Sequence, residues 1–380
     1  MSTMVYLDNA ATTKPSEAVI TAMTAAMQEG YFNPSSLYAP GFSVRKGIEI
    51  FREQLIKRLH AKDLVFTSGG TEADNLAILG LLQSSRKKGR VLYSAVEHSA
   101  VAEPSESLKD KYDVRTLPVN DAGSVNLDAA RELLTPDTLM ISVMQVNNEV
   151  GAIQPLDELI RLRDECCPEA HLHVDGVQGF LHIGTKLSTG IDSYAFSAHK
   201  FHGPKGVGAL ALGGKTRINP LVLGGKQENG LRAGTENTYG IIGLQAAIDD
   251  YPHENNDLRA LKLQLVDAIL SFVPDAVVNG PDPASSEACD HIVNFSFPPV
   301  QAQTMMHALE AEGVLVSQGS ACSSRKKQSS KTLMAMGLSQ QRMDSALRFS
   351  LSRYTTQEDI NKAARVCAKV YKDLRPFIRR

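Results

Sequence analysis

Short apolar runs alternate with helix-length stretches along the first two thirds of the chain. Asp63–Thr67, Arg90–Ala95, Val114–Pro118, Leu139–Val146, His171–Val174, Ser193–Phe196 and Val207–Leu212 read as buried strands. The intervening segments predict helices. The first runs from Pro15–Ser16 to Met27 and is stopped by Gly30; the others lie at Phe42–Leu59, from Gly70 to about Leu82, at Ser99–Lys111, Leu127–Leu134 and Leu156–Cys166. Strands that alternate with helices imply an α/β fold, with a mostly parallel sheet covered on both faces.

The pattern changes after Asn237. Asn237–Val273 is largely helical and breaks around Pro252–Asn256, where we place a change of domain. A Pro/Ser-rich loop (Pro281–Ala288) leads to an alternating strand at His291–Phe297, a helix at Gln303–Glu312, strands at Val314–Ser317 and Ala346–Ser352, and a last helix at Gln357–Leu374. This second part reads as a smaller α+β domain. The expected partition is a large domain over 15–255, with 1–14 and 256–380 forming the small one. Tyr6–Thr13, YLDNAATT, predicts a loop placed for close approach.

Composition narrows the class. The 380 residues carry 40 Lys and Arg against 42 Asp and Glu, a balance that suggests neither a nucleic-acid nor a membrane partner. No apolar run approaches the ~18 residues that span a bilayer. The N-terminus lacks the pattern of a signal peptide. The 5 cysteines are irregularly spaced, with no Cys-x-x-Cys pair, so neither a disulfide framework nor a metal site is expected. A reducing cytoplasm fits best.

In parallel α/β sheets ligands bind at the carboxyl ends of strands. The polar residues that follow strands are Thr71, His98, Asn148, Asp175 and Lys200, and parallel strands would gather all five at one edge. Lys200 lies in SAHKFHGPKG, a tight turn between two strands. A lysine there can form a Schiff base with a carbonyl cofactor whose phosphate Ser197 and His199 hold; an ordinary solvated lysine is the other reading of that stretch taken alone. Asp175 could pair with a protonated ring nitrogen, Gln178 could reach a ring hydroxyl, and His98 could stack on the ring and move protons. Gly69-Gly70-Thr71, between a strand and a helix start, suits a phosphate. The breakable segment GGKQENGLRAGTEN offers Arg232 and Thr235 as further phosphate contacts. Cys322 sits in a small-residue loop flanked by Arg325, Lys326 and Lys327, which favour its thiolate. Arg348 is a charge inside an apolar strand: a carboxylate clamp or a structural ion pair.

YLDNAATT, FTSGGTEADN, VNNEVG, VDGVQ, SAHKFHGPKG, GLRAGTEN, GSACSS and RFSLSRYTT, in that order from Tyr6 to Thr356, resemble the NifS/IscS-type cysteine desulfurases of the class V aminotransferase family. The resemblance implies the pyridoxal 5′-phosphate fold type I and a homodimer with sites at the subunit interface. It implies that Lys200 is the Schiff-base lysine and that His98 stacks on the ring. Asp175 would pair with the ring nitrogen, and Gln178 and Asn148 would contact the cofactor. Gly70, Thr71, Ser197 and His199 would bind the phosphate, while Thr235 would reach the phosphate of the partner subunit's cofactor. Arg348, with Asn148, would bind L-cysteine. Cys322 would take its sulfur as a persulfide, leaving alanine, and pass it to an acceptor protein. A selenocysteine lyase or a transaminase of the same family is the alternative.

Three departures from the family pattern stand out: Lys226 after Gly224-Gly225, Ala233 after Arg232, and Gly176 after Asp175, where alanine is usual. IscS-like members also carry a longer C-terminal extension that docks an iron–sulfur scaffold. The end at Arg380 puts that scaffold partner in doubt and shifts the expectation toward tRNA thiolation or another dedicated acceptor, beside iron–sulfur cluster assembly.

Overall fold

A computed structural model describes residues 4–85, 87–184, 188–214, 216–252, 256–319 and 330–377. The chain begins with β1 (Val5–Tyr6), α1 (Glu17–Glu29) and α2 (Ala39–Leu59). The α/β alternation follows as β2 (Asp63–Thr67), α3 (Gly70–Ser84), β3 (Arg90–Ser94), α4 (Ser99–Glu106), β4 (Asp113–Leu117), α5 (Leu127–Leu133), β5 (Thr138–Met144), α6 (Leu156–Cys166), β6 (His171–Asp175), β7 (Ser193–Ser197) and β8 (Gly208–Leu212). Helices α7 (Thr238–Asp249) and α8 (Asn256–Phe272) lead to β9 (Val277–Asn279), β10 (Ile292–Ser296), α9 (Ala302–Ala311), β11 (Val314–Leu315), α10 (Lys331–Ala335), α11 (Gln340–Asp344), β12 (Ala346–Ser350) and α12 (Gln357–Leu374).

Strands β2 to β8 form a seven-stranded sheet in the order β2-β8-β7-β6-β5-β3-β4. All neighbours pair parallel except β8, which runs antiparallel to both β7 and β2. The cause is the turn that carries Lys200. It is short, so β8 returns beside β7 as a hairpin, where a parallel return would need a long crossover. Central strands β6, β7 and β8 are buried throughout, whereas the edge strand β4 exposes Asp113, Arg115 and Thr116.

The faces of β6 differ in kind. Leu172 and Val174 join the main core with Phe51, Phe66, Phe180 and Phe196. His171, His173 and Asp175 alternate with them and take the face on which His173 meets Asp74 of α3. A second core gathers Leu265, Phe295, Phe297, Leu309, Phe349, Ile360 and Cys367 with Val5 and Leu7. Among the described residues no helix is long and apolar enough to cross a membrane.

Residues 5–16 form a strap, whose Ala10 and Ala11 come close to Lys200 as the expected close-approach loop would. Val5 and Tyr6 pair with Val314 and Leu315. Asn9 Nδ2 donates to Ser350 O at 2.9 Å, and Ala10 N–H to Ser350 Oγ at 2.8 Å. Thr13 N–H then donates to His199 O at 2.9 Å, and Ser16 N–H to His202 O at 3.0 Å. The strap therefore ties β12 to the Lys200 turn.

At the other edge of the sheet, β2 leaves backbone groups unpaired, and a buried ion pair takes them up. Arg52 Nη1 donates to Leu64 O at 2.7 Å and to Glu228 Oε2 at 2.6 Å, and the same Glu228 oxygen accepts from Phe66 N–H at 2.8 Å. This is an edge closed by side chains in place of a strand. Arg52→Met would strand the Glu228 carboxylate without its cation. We expect a loss of about 3–5 kcal/mol in urea unfolding, with Glu228→Gln milder.

Candidate active site

A cavity of about 230 Å³ opens at the carboxyl edge of the sheet, and it gathers Gly70, Thr71, His98, Asn148, Asp175, Gln178, Ser197, His199, Lys200 and Arg348. They arrive from the ends of several elements. Gly70 and Thr71 open α3 after Gly69, whose φ of 152° side chains rarely adopt. His98 caps α4, its Nδ1 accepting from Ala100 N–H at 3.1 Å. That bond leaves the ring proton on Nε2, and burial holds the imidazole neutral by lowering its pKa.

Asp175 ends β6, and its Oδ1 accepts from Val177 N–H at 2.9 Å. Burial raises its pKa, while the Val177 bond and the nearby His98 and Lys200 pull it down. Lys200 closes the turn after β7, and its Nζ donates to Ala10 O at 2.6 Å and Ala11 O at 3.0 Å. The carbonyl of Lys200 is held in turn by His182 Nε2 at 3.1 Å, and Tyr251 OH sits 3.0 Å from His182 Nδ1. Gln178 Nε2 donates to Ala10 O at 2.8 Å, and His199 Nδ1 lies 3.2 Å from Thr12 Oγ1. Burial, with Lys200 and Lys205 close by, lowers the His199 pKa to about 4.

Arg348 of β12 brings the second core to the cavity. Its Nη2 pairs with Asp8 Oδ1 at 2.8 Å, its Nη1 donates to Asn148 O at 2.7 Å, and its buried Nε has no partner. Arg348 is thus ion-paired, as one of its two readings expected, and it also lines the cavity.

Thr235 and Arg232 do not line this cavity. They border a separate hollow with Ser68 and Gly206, and Arg232 Nε pairs with Glu72 Oε1 at 3.0 Å. Cys322, with Arg325, Lys326 and Lys327, lies outside the described residues. The described residues on either side of that stretch come to the cavity rim. Ser317 exchanges backbone bonds with Arg348, and Ser330 Oγ donates to Glu149 Oε2 at 2.5 Å, next to Asn148. Among the described residues no cluster of His, Cys, Asp and Glu is arranged to hold a metal ion.

Several residues were not anticipated: in the cavity lining Ala10 and Ala11 with their carbonyls, Val177 and Asp74, and behind Arg348 the Asp8 carboxylate. Asp74 had a readable signal. It sits one helical turn from Gly70 and Thr71, on the same face of α3.

The chain belongs to the aminotransferase class-V family, whose pattern it matches over residues 5–362. It is 40% identical over 384 residues to a protein of Dictyoglomus turgidum named cysteine desulfurase IscS, covering 99% of this chain and 96% of that one. It is 38% identical to the cysteine desulfurase NifS of Azotobacter vinelandii, covering 98% and 93%. Among solved structures, a NifS-like protein superposes with a TM-score of 0.89 at 31% identity, covering 99% of this chain and all of that one. A structure titled SspA in complex with cysteine superposes with a TM-score of 0.80 at 28% identity, covering 92% and 99%. Enzymes of this family use pyridoxal phosphate.

The donor set fits that group. A carboxylate, an amine and a neutral imidazole line one cavity, and at its far end stand a helix N-terminus and the Ser197 hydroxyl, the donors a phosphate needs.

The departure at Gly176 has a cause. A methyl group there would lie 1.9 Å from Tyr194 Cζ, and that ring is buried with its OH donating to Gln145 Oε1 at 2.6 Å. Tyr194 thus occupies the room that alanine would need. Gly176→Ala should cost about 1–3 kcal/mol of stability. A double-mutant cycle in urea should show a much smaller cost in a Tyr194→Ala background.

Proposed function

We propose that this protein is a pyridoxal phosphate-dependent cysteine desulfurase, which converts L-cysteine to L-alanine and holds the sulfur as a Cys322 persulfide. One observation carries the reading. Lys200, Asp175, His98 and Arg348 meet in one cavity of a chain that is 40% identical to a curated cysteine desulfurase along nearly its whole length.

When bound, the cofactor supplies an electron sink for bond breaking next to the amino group. The residues supply the rest. Lys200 Nζ would hold the cofactor and would carry a proton at the substrate Cα. Asp175 would pair with the ring nitrogen. His98, with its proton on Nε2, would stack on the ring and donate. Gln178 and Asn148 would contact the ring substituents, and Gly70, Thr71, Ser197 and His199 would hold the phosphate. Arg348 clamps the substrate carboxylate, because a guanidinium matches its two oxygens. The Cys322 thiolate attacks the substrate sulfur. An S–S bond forms, the carbon–sulfur bond breaks, and its electron pair stays on the three-carbon fragment, which is protonated and leaves as alanine.

Residues 15–255 act as the large cofactor-binding unit, and 1–14 with 256–380 as the small unit that carries Cys322; the two separate apolar cores support this division. The active form is a homodimer in which Thr235 reaches the phosphate of the partner subunit's cofactor. The exposed Leu37, Tyr38, Phe42 and Leu223 support an interface. A cytoplasmic acceptor protein takes the persulfide sulfur, for tRNA or cofactor thiolation or for iron–sulfur cluster assembly. A transaminase or selenocysteine lyase is not favoured, because the curated relatives are named cysteine desulfurases.

Supplied with L-cysteine and a thiol reductant, wild type should form alanine and sulfide in equal amounts. Cys322→Ala should keep the cofactor absorbance but lose both products by at least about 10³-fold. Pyruvate in place of alanine, or a fully active Cys322→Ala, would overturn the reading.

A further inference from the structure

Two buried carboxyl groups line the cavity, Asp74 of α3 and Asp175, and a third, Glu97, stands next to the cavity-lining His98 with one oxygen out of reach of water. Asp74 and Glu97 share a bonding pattern. Asp74 Oδ1 meets His173 Nε2 at 3.1 Å, while its Oδ2 is buried with no partner. Glu97 Oε1 accepts from Ser94 Oγ at 2.5 Å and from Met144 N–H at 2.7 Å, while its Oε2 is likewise buried and unpartnered. Asp175 differs: it is not among the residues with an orphaned oxygen, and it feels both His98 and Lys200.

A charged oxygen buried without a donor is costly, and protonation removes that cost. The histidines behind Asp74 cannot supply a balancing charge. His173 Nδ1 lies 2.8 Å from Ser193 Oγ, and the same hydroxyl lies 2.7 Å from His171 Nε2. Burial lowers the pKa of both rings to about 3, so this column is neutral. His173 then donates from Nε2 to Asp74 Oδ1 and accepts at Nδ1 from the serine.

The groups packed around Asp74 are His173 and Asp175 on β6, Ser193 on β7, and Glu97 and His98 ahead of α4; the cations of the same cavity, Lys200 and Arg348, bond to the Ala10 and Ala11 carbonyls and to Asp8 and the Asn148 carbonyl. A bound pyridine ring brings one positive charge, at its nitrogen, which balances one anion. We propose that Asp74 and Glu97 are held as neutral carboxylic acids, leaving Asp175 as the only one of the three that carries charge for the ring nitrogen. The proposal rests on the pyridoxal phosphate reading of the cavity. Asp74 and Glu97 are positioning residues: they set the charge around Asp175 without touching the substrate. Burial first, then the negative neighbours, push both groups in this direction, Glu97 up to about 8.

These carboxyls keep their protons to higher pH in the folded chain than in the unfolded one. Their contribution therefore favours folding at low pH and turns against it as pH rises above the ordinary carboxyl range. Asp74→Asn keeps the acceptor toward His173 and places a permanent donor at the Oδ2 position, so it removes that pH-dependent cost. In the purified holoprotein, Asp74→Asn should match wild type in melting temperature near pH 5 and exceed it by about 2–4 °C at pH 8. Difference infrared spectra at pH 7 should show a protonated-carboxyl C=O band lost in Asp74→Asn, and another lost in Glu97→Gln. The absorbance of the bound cofactor should be unchanged in both. Loss of a carboxylate band at either position, a stability deficit that grows with pH, or an Asp74→Asn chain that cannot fold would overturn the proposal. A wild type that takes up no pyridoxal phosphate would instead overturn the cofactor reading, because the infrared and melting measurements on the unliganded protein still report the two protonation states.

Discussion

Charge taken out of water must be matched group by group, and that constraint shapes both edges of the large sheet. At β2 it is met by Arg52 and Glu228, which pair with each other and with the strand's free backbone groups. At the carboxyl edge it is met only in part. Arg348 has Asp8 and a carbonyl but keeps an unpaired Nε, and Asp74 and Glu97 each keep an unpaired oxygen. Groups of this kind accumulate where a ligand is handled and are rare elsewhere in a folded chain.

The hairpin at Lys200 follows from the same economy of space. A parallel crossover would carry the chain away over a sheet face, whereas the short turn keeps Lys200 at the strand ends and returns β8 beside β7. The lysine is then fixed from two sides. Its backbone carbonyl is held through His182 and Tyr251, and its ammonium rests on carbonyls of the strap. An amine held at both ends is pre-organised for the cofactor-binding role proposed for it.

Much of this was legible in the sequence. The strands at Asp63–Thr67 and His171–Asp175 and the helices at Leu156–Cys166 and Gln357–Leu374 stand within a residue of where apolar spacing puts them, because each buries a continuous face. Thr71, His98, Asn148, Asp175 and Lys200 were placed at one edge by the alternation of strand and helix alone, and they do line one cavity. An apolar strand looks the same in either direction, so the reversal of β8 could be read only from the shortness of the turn before it. The three-residue β9 and the five-residue α10 and α11 were too short to show a period. The strap was expected as a loop of close approach, but its partners were not, because its bonds run through backbone carbonyls, which no side chain announces. The polar stripe of β6 was visible as every second residue from His171 to Asp175, but its partner Asp74 comes from another element about 100 residues away.

The strap also sets an order of events during synthesis. Residues 5–10 leave the ribosome long before their partners Val314, Leu315 and Ser350 are made. The strap must therefore wait, without these partners, while the α/β sheet assembles behind it. The carbonyls that receive Lys200 reach their final position only once β12 has been made, so a product arrested before β12 would hold a finished sheet and an open lysine turn. Contacts that span more than 300 residues are also the slowest to close in refolding, which makes docking of this strap the natural last step on the way to a competent enzyme.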